Sequence, residues 1–147
     1  MKRHLWIFVC ALALGLTADL AGQQPGPAFY TEDELTEVLK GVFAGWPGDK
    51  SEKLVFIAED GQVIVIGNRD PKRVTTTILD IVKALARKGQ HLGTITNVIH
   101  NHERKVDINE KDMAACKVLR RAGFKGKFQV YYPESWRLKT LWREGQS

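Results

Sequence analysis

Cysteine is scarce in this 147-residue chain, which contains only two, Cys10 and Cys116. Cys10 lies in an apolar N-terminal segment of the kind that is removed on secretion, which would leave Cys116 alone. A single cysteine cannot form an intramolecular disulfide or a cysteine-rich zinc site. A zinc nucleoside deaminase is also excluded, because its Pro-Cys-x-x-Cys segment is missing. We expect Cys116, in the context MAACKVL, to be a buried and unreactive thiol.

Long hydrophobic runs are also missing. The apolar run LWIFVCALALGL has about 12 residues, whereas a transmembrane helix needs roughly 20. Basic residues at positions 2–4 precede this run and the small residues Ala18, Ala21 and Gly22 follow it, which is the three-part layout of a secretory signal peptide. We therefore predict a signal peptide at residues 1–22, export to the periplasm or the cell exterior, and no membrane span after cleavage. An uncleaved N-terminal anchor is the alternative.

The chain has neither a strong excess of one charge nor a low-complexity segment. Its formal net charge is +5, and basic and acidic residues alternate in stretches such as SEK and NEKD. This pattern favours a solvated, mildly basic surface without a nucleic-acid partner; a surface for nucleic acid or an anionic envelope is the alternative. The length allows one domain, which we place at residues 31–147 after a linker rich in proline and glycine at residues 23–30.

Hydrophobic periodicity predicts an α/β domain. A capping box of Thr31 and Glu34 starts the first helix, and KLVFIA and QVIVIG form a hairpin around EDG. A second helix ends at Gly89, the β-branched run LGTITNVIHNH is a strand, and a third helix covers about 110–122. KFQVYYP and WRLKTLW form the last strand pair. The order is α-β-β-α-β-α-β-β, a mixed sheet flanked by helices.

Two histidines end the third strand. Because alternate strand residues share a face, His100 and His102 project together, and Asp112 follows at the start of the third helix. Two imidazoles and one carboxylate leave a fourth position for water, as in a catalytic zinc site. Asn109 and Asp112 are also typical of a helix N-cap with an acid in the first turn, which requires no metal. Asp107 is a less favoured alternative ligand.

The segment HNHERKVDINEKD resembles the motif of the JAMM/MPN metalloproteases, which include RadC-like proteins. That motif is His-x-His, a short polar loop, and Ser-x-x-Asp, and IHNH at a strand end is particularly RadC-like. The resemblance extends in pattern over about residues 31–142 and implies an MPN-like fold. The sequence departs from the motif at three points. Its loop is one residue shorter, Glu103 replaces a proline, and Asn109 replaces the serine.

The resemblance also implies a site and a chemistry. Zn²⁺ would be bound by His100, His102 and Asp112 and would activate a water molecule, and a glutamate on the first strand would act as the general base. Glu52 and Glu59 are seven residues apart, roughly 20 Å or more along a strand, so both cannot serve. Glu52 matches the family's position.

In this family the serine stabilises the oxyanion, and Asn109 would do so here through its amide. The implied function is a zinc-dependent hydrolase of a peptide or isopeptide bond, with an envelope or cell-wall peptide as the expected substrate. The alternative is an exported, catalytically weak or inactive MPN-like module that binds zinc and a partner.

Two further patterns have competing interpretations. The letters HNH suggest the nuclease family of that name, but its residues are spread over a strand-turn-helix finger, so we exclude it. Four aromatic residues near the C-terminus would form either a partner surface or ordinary sheet packing, which is favoured. They are Tyr131, Tyr132, Trp136 and Trp142.

Overall fold

A computed structural model of the chain describes residues 30–67, 76–102 and 108–142. The described helices are α1 (Glu32–Val42), α2 (Ile78–Ala86) and α3 (Glu110–Arg121), with a short 3-10 turn at Leu92–Thr94. The strands are β1 (Lys53–Ala58), β2 (Val63–Gly67), β3 (Ile95–Asn101), β4 (Lys127–Tyr132) and β5 (Arg137–Trp142). The predicted α/β class is confirmed. The signal peptide at 1–22 and all of the linker except Tyr30 lie outside the described residues.

The five strands form one mixed sheet in the order β2-β1-β3-β4-β5. β1 pairs antiparallel with both β2 and β3, and β4 pairs antiparallel with β5. β3 and β4 are parallel, and α3 lies between them in the chain. A parallel pair requires such a crossover, and α3 is part of it.

The sheet has a hydrophobic cluster on each face, because alternate strand residues point to opposite sides. α1 covers one face through a cluster of Leu35, Leu39, Phe43, Val55, Ile57, Ile99 and Tyr131. α2 and α3 cover the other face through a larger cluster of Phe56, Ala58, Ile64, Ile81, Leu85, Leu92, Ile95, Val98, Cys116, Leu119, Phe124 and Phe128. Both faces of the central strand β3 are therefore buried.

All three helices begin with the same local device. Thr31 with Glu34, Thr77 with Asp80, and Asn109 with Asp112 each form a reciprocal capping box. In each box two N–H groups that the first helical turn leaves unpaired are satisfied. The third helix was predicted to reach residue 122 and ends one residue earlier. In the described part of the chain, no helix has the length and apolar character that a membrane crossing requires.

The C-terminal aromatic residues have different environments. Tyr131 is fully buried, and its ring centroid lies 5.3 Å from that of Phe43, so the packing interpretation is confirmed for this residue. Trp136, in the β4–β5 turn, is 61% exposed, and the Lys40 amino group lies 4.5 Å from its ring centroid. The side chain of Trp142 is outside what the structure describes.

Candidate metal centre

The carboxyl end of β3 brings the two histidines to the α2–α3 face of the sheet. His100 pairs with Leu54 of β1 on one side and Val130 of β4 on the other. His102 lies one residue beyond the strand, where its backbone N–H donates to the backbone carbonyl of Tyr131 at 3.0 Å. The two imidazole centroids are 4.5 Å apart with nearly perpendicular rings. The prediction that these side chains project together is confirmed.

Asp112 brings a carboxylate to both histidines. It is the third residue of α3, and its Oδ2 accepts the backbone N–H of Asn109 at 2.9 Å as part of the capping box. Its Oδ1 lies 3.0 Å from Nε2 of His100 and 3.2 Å from Nε2 of His102. The cap therefore fixes one oxygen and directs the other towards the imidazoles. The capping and ligand interpretations of Asp112 are compatible.

The three side chains form a cluster that can hold a metal ion. One ligand atom from each residue lies within 4.8 Å of the other two. A tetrahedral ion with bonds of ~2.0–2.1 Å needs neighbouring ligand atoms roughly 3.3 Å apart. The distances of 3.0 and 3.2 Å from Oδ1 of Asp112 to the two Nε2 atoms are close to this value. The side chains are only 13%, 5% and 6% exposed for His100, His102 and Asp112. The three ligand atoms are therefore already grouped in a largely buried cluster.

The pKa of Asp112 is lowered, which favours the charged carboxylate, the form that binds metal. Burial by itself raises the pKa of this carboxyl group. The hydrogen bonds from His100 and from the Asn109 N–H, together with the charges of the two imidazoles, outweigh burial and hold the pKa below its ordinary value of 3.8.

The antiparallel pairing of β1 with β3 distinguishes the two candidate glutamates. It puts the start of β1 beside the end of β3, and Leu54 opposite His100 places residue 52 level with residue 102. Glu52 lines the same cavity as the cluster. Glu59 is exposed in the turn at the other end of β1 and does not line that cavity.

Asn101, between the two histidines, is a residue that the sequence analysis missed. It is 1% exposed. Its Oδ1 accepts the N–H of Lys53 at 2.8 Å, and its Nδ2 donates to the carbonyl of Ser51 at 3.3 Å. The side chain thus holds the backbone on both sides of Glu52. The available sequence signal was an asparagine in a predicted strand, because a buried amide must be hydrogen-bonded.

A cavity of about 510 Å³ opens from the cluster between α2, α3 and the sheet. This volume is within the range of small-molecule sites. Its polar lining residues are Glu52, Thr76, His100, His102, Asn109, Lys111 and Asp112. Its apolar lining residues are Leu54, Ile78, Ile81, Ala115, Val118, Leu119 and Phe128. The site is therefore accessible to a ligand and has both a polar and an apolar part.

The remaining predicted residues are placed as follows. Asn109 is the N-cap of α3, and its Oδ1 accepts the N–H groups of Lys111 and Asp112. Cys116 is buried in the helix-side cluster, as predicted, and burial raises the pKa of its thiol. Asp107 and Glu103 lie in 103–107, outside the described residues.

No family model, curated protein or solved structure matches this chain. The JAMM/MPN resemblance is therefore a hypothesis that rests on the motif residues. The structure itself establishes a mixed α/β fold and a His-His-Asp cluster that can hold a metal ion.

Proposed function

We propose that this protein is a zinc-dependent hydrolase with an MPN-like fold that cleaves a peptide or isopeptide bond. The observation that carries the proposal is the convergence of His100, His102 and Asp112 in one cavity that Glu52 also lines. Two histidines and a carboxylate from a strand end and a helix start are a donor set that suits zinc and leaves a position for a reacting group. When bound, zinc lowers the pKa of water and polarises a carbonyl group.

The remaining chemistry belongs to side chains of this chain. We assign Glu52 as the general base, which accepts a proton from the attacking water and passes it to the leaving amine. Asn109 uses Oδ1 in the helix cap, so its Nδ2 amide is the group that would donate to the oxyanion.

A second candidate is a zinc-binding interaction module without catalysis. The observation that favours it is the cap at Asn109, because the helix already uses the oxygen of this side chain. In this alternative Asn109 serves only as the N-cap of α3 and takes no part in a reaction. This alternative keeps the same three ligands and differs only in turnover.

Metal analysis of the purified protein tests the site. We expect one zinc per chain, and loss of zinc in the His100→Ala, His102→Ala double variant. His91→Ala is the matched control, because this exposed histidine caps the 3-10 turn at the opposite end of β3. Wild-type protein without stoichiometric metal would refute both functions. Stoichiometric iron would refute the zinc hydrolase, because this donor set also binds iron(II) in oxygenases.

A paired glutamate exchange separates the enzyme from the module. We expect Glu52→Gln to abolish cleavage of a peptide library while zinc is retained. Glu59→Gln should leave cleavage unchanged, because Glu59 lies in the turn at the far end of the same strand. Equal effects of the two exchanges would contradict the role of Glu52. Absence of cleavage in the wild type would favour the module.

We further propose that the protein is exported by its N-terminal signal and acts on an envelope or cell-wall peptide. The support is the layout of residues 1–22 in the sequence. Mass determination of the protein from the exported fraction should give a chain that begins near residue 23. A full-length chain in that fraction would favour the uncleaved anchor.

A further inference from the structure

The cavity extends well beyond the metal-binding cluster. Asp112, Ala115 and Leu119 lie on one face of α3, and all three line the cavity. Seven residues of helix correspond to roughly 10 Å. Leu54 and Phe128 provide lining from the sheet, and Ile78 and Ile81 provide it from α2. An apolar arm therefore continues from the cluster along α3. It is defined by Leu54, Ile78, Ile81, Ala115, Val118, Leu119 and Phe128.

We propose that this apolar arm binds a bulky aliphatic or aromatic side chain of the substrate, next to the bond that is cleaved. The inference rests on the proposed function and specifies its substrate class. The arm and the cluster line one continuous cavity, so a ligand whose carbonyl group lies at the metal has its neighbouring groups in the arm. None of the residues that define the arm is charged or hydrogen-bonding in its side chain, so the arm favours an apolar side chain over a charged one, which would lose part of its hydration there.

Ala115 is the residue that keeps the arm open. It lies one helical turn beyond Asp112 and is exposed. A larger side chain here fills the arm without entering the folded core. Ala114, also exposed, lies outside this cavity, beside Ile108 and Met113. The pair Ala115→Leu and Ala114→Leu is therefore a matched test.

Two neutral metal-binding probes measure the arm by calorimetry. Acetohydroxamic acid reaches only the metal, whereas 4-methylpentanohydroxamic acid also carries an isobutyl group. We expect zinc-loaded wild type to bind the longer probe about tenfold or more tightly, since a side chain of leucine size is buried. In Ala115→Leu the preference should disappear while acetohydroxamic acid still binds, and Ala114→Leu should keep the preference.

The outcomes separate the arm from the proposed function. Equal affinity of the two probes for wild type, or equal behaviour of the two alanine variants, would overturn the apolar arm alone. Failure of acetohydroxamic acid to bind zinc-loaded wild type, or binding that persists without His100 and His102, would overturn the proposed function and the arm with it.

A second inference rests on the hydrogen bonds of Asn101. We infer that Asn101 is a positioning residue for Glu52, an inference that also rests on the proposed function. Its amide bonds to the residues before and after Glu52, while its own neighbours in the chain are the two histidine ligands. A single buried side chain thereby fixes the distance between the general base and the metal ligands.

A double-mutant cycle tests this role with acetohydroxamic acid, whose polar N–H and O–H groups can bond to Glu52. We expect Glu52→Gln and Asn101→Ala each to weaken binding several-fold, and the double variant to be no weaker than either single variant. Zinc stoichiometry should remain at one per chain in all four proteins.

Fully additive effects would overturn the positioning role, because they would show that Asn101 acts independently of Glu52. If Asn101→Ala does not fold, the same cycle with Asn101→Asp decides the matter. That variant keeps an acceptor for the Lys53 N–H and removes the donor to Ser51.

Discussion

At the scale of single residues, Asp112 connects helix formation to the candidate site. One carboxylate oxygen completes the capping box of α3, and the other faces the two histidines. Asp80 is the equivalent residue of α2, with the same cap and no histidine partner among its described contacts. Exchanging each aspartate therefore separates the effect of losing a helix cap from the effect of losing a candidate metal ligand.

We predict that Asp112→Asn weakens zinc binding by about 100-fold or more. Even the exchange of a residue that only hydrogen-bonds to a metal ligand typically lowers metal affinity by about 10–100-fold. Asp80→Asn should leave zinc affinity unchanged. Competition with a zinc-binding dye measures both. A loss of affinity in Asp80→Asn as large as in Asp112→Asn would show that general destabilisation is responsible.

We predict that Asn109→Ser retains the fold and increases turnover. Serine and asparagine are about equally good N-caps, so the free energy of unfolding should change by less than about 0.5 kcal/mol. The exchange introduces the serine of the JAMM/MPN motif, which under the proposed function would donate to the oxyanion. Peptide-library cleavage and urea unfolding measure the two effects. Unchanged turnover would contradict a role for residue 109 in catalysis.

At the scale of elements, the helix caps make a pH-dependent contribution to stability. The hydroxyl and N–H of Thr77 hydrogen-bond to Asp80 and lower the pKa of its carboxyl group from the ordinary value of 3.8. A group whose pKa is lower in the folded state stabilises the fold above its unfolded pKa. That contribution is lost as the pH falls through the lower folded value.

We therefore predict that wild type is more stable than Asp80→Asn at neutral pH and that the difference disappears under acidic conditions. Urea unfolding of both proteins between pH 7 and pH 2 measures it. A difference that persists unchanged at the acid end would mean that the carboxylate charge is not involved.

Gly126 controls how closely the loop before β4 approaches β3. A Cβ at this position would overlap the backbone of Thr96. We predict that Gly126→Ala destabilises the fold by about 1–3 kcal/mol, as overpacking typically does. Gly41→Ala, in α1 with no atom within 4 Å of the new Cβ, should stabilise the fold by about 0.5–1 kcal/mol. Thermal unfolding of both variants checks the signs.

At the scale of the whole molecule, the three candidate ligands connect a central strand to a helix on the sheet face. β3 is paired on both sides, and α3 packs Cys116 and Leu119 into the helix-side cluster. An ion bound between them stabilises only the folded chain, because the unfolded chain does not hold the three ligands together.

We predict that zinc at 100 times its dissociation constant stabilises the fold by about 2.7 kcal/mol. Calorimetric melting with zinc and with excess chelator measures the increment. The His100→Ala, His102→Ala variant should show none, and His91→Ala should show all of it. An equal increment in the double variant would place the stabilising zinc elsewhere.

Much of the fold was predictable because the signals are local. The capping pairs at Thr31 and Asn109, the positive-φ glycines Gly89 and Gly123, and the alternation of apolar residues in the strands depend on neighbours within a few positions. The shared direction of His100 and His102 follows from the same period of two.

Tertiary structure decided what depends on pairing between distant segments. The sequence by itself determined the residue types of the cluster and the helix start that carries Asp112. Only the antiparallel register of β1 and β3 placed Glu52, and not Glu59, at the same end of the sheet as the cluster. It also produced the hydrogen bond between Lys53 and Asn101, which are 48 residues apart in the chain. Register is set by the packing of whole faces, and no local signal contains it. The cavity along α3 likewise exists only because α2 and α3 pack on the same face of the sheet.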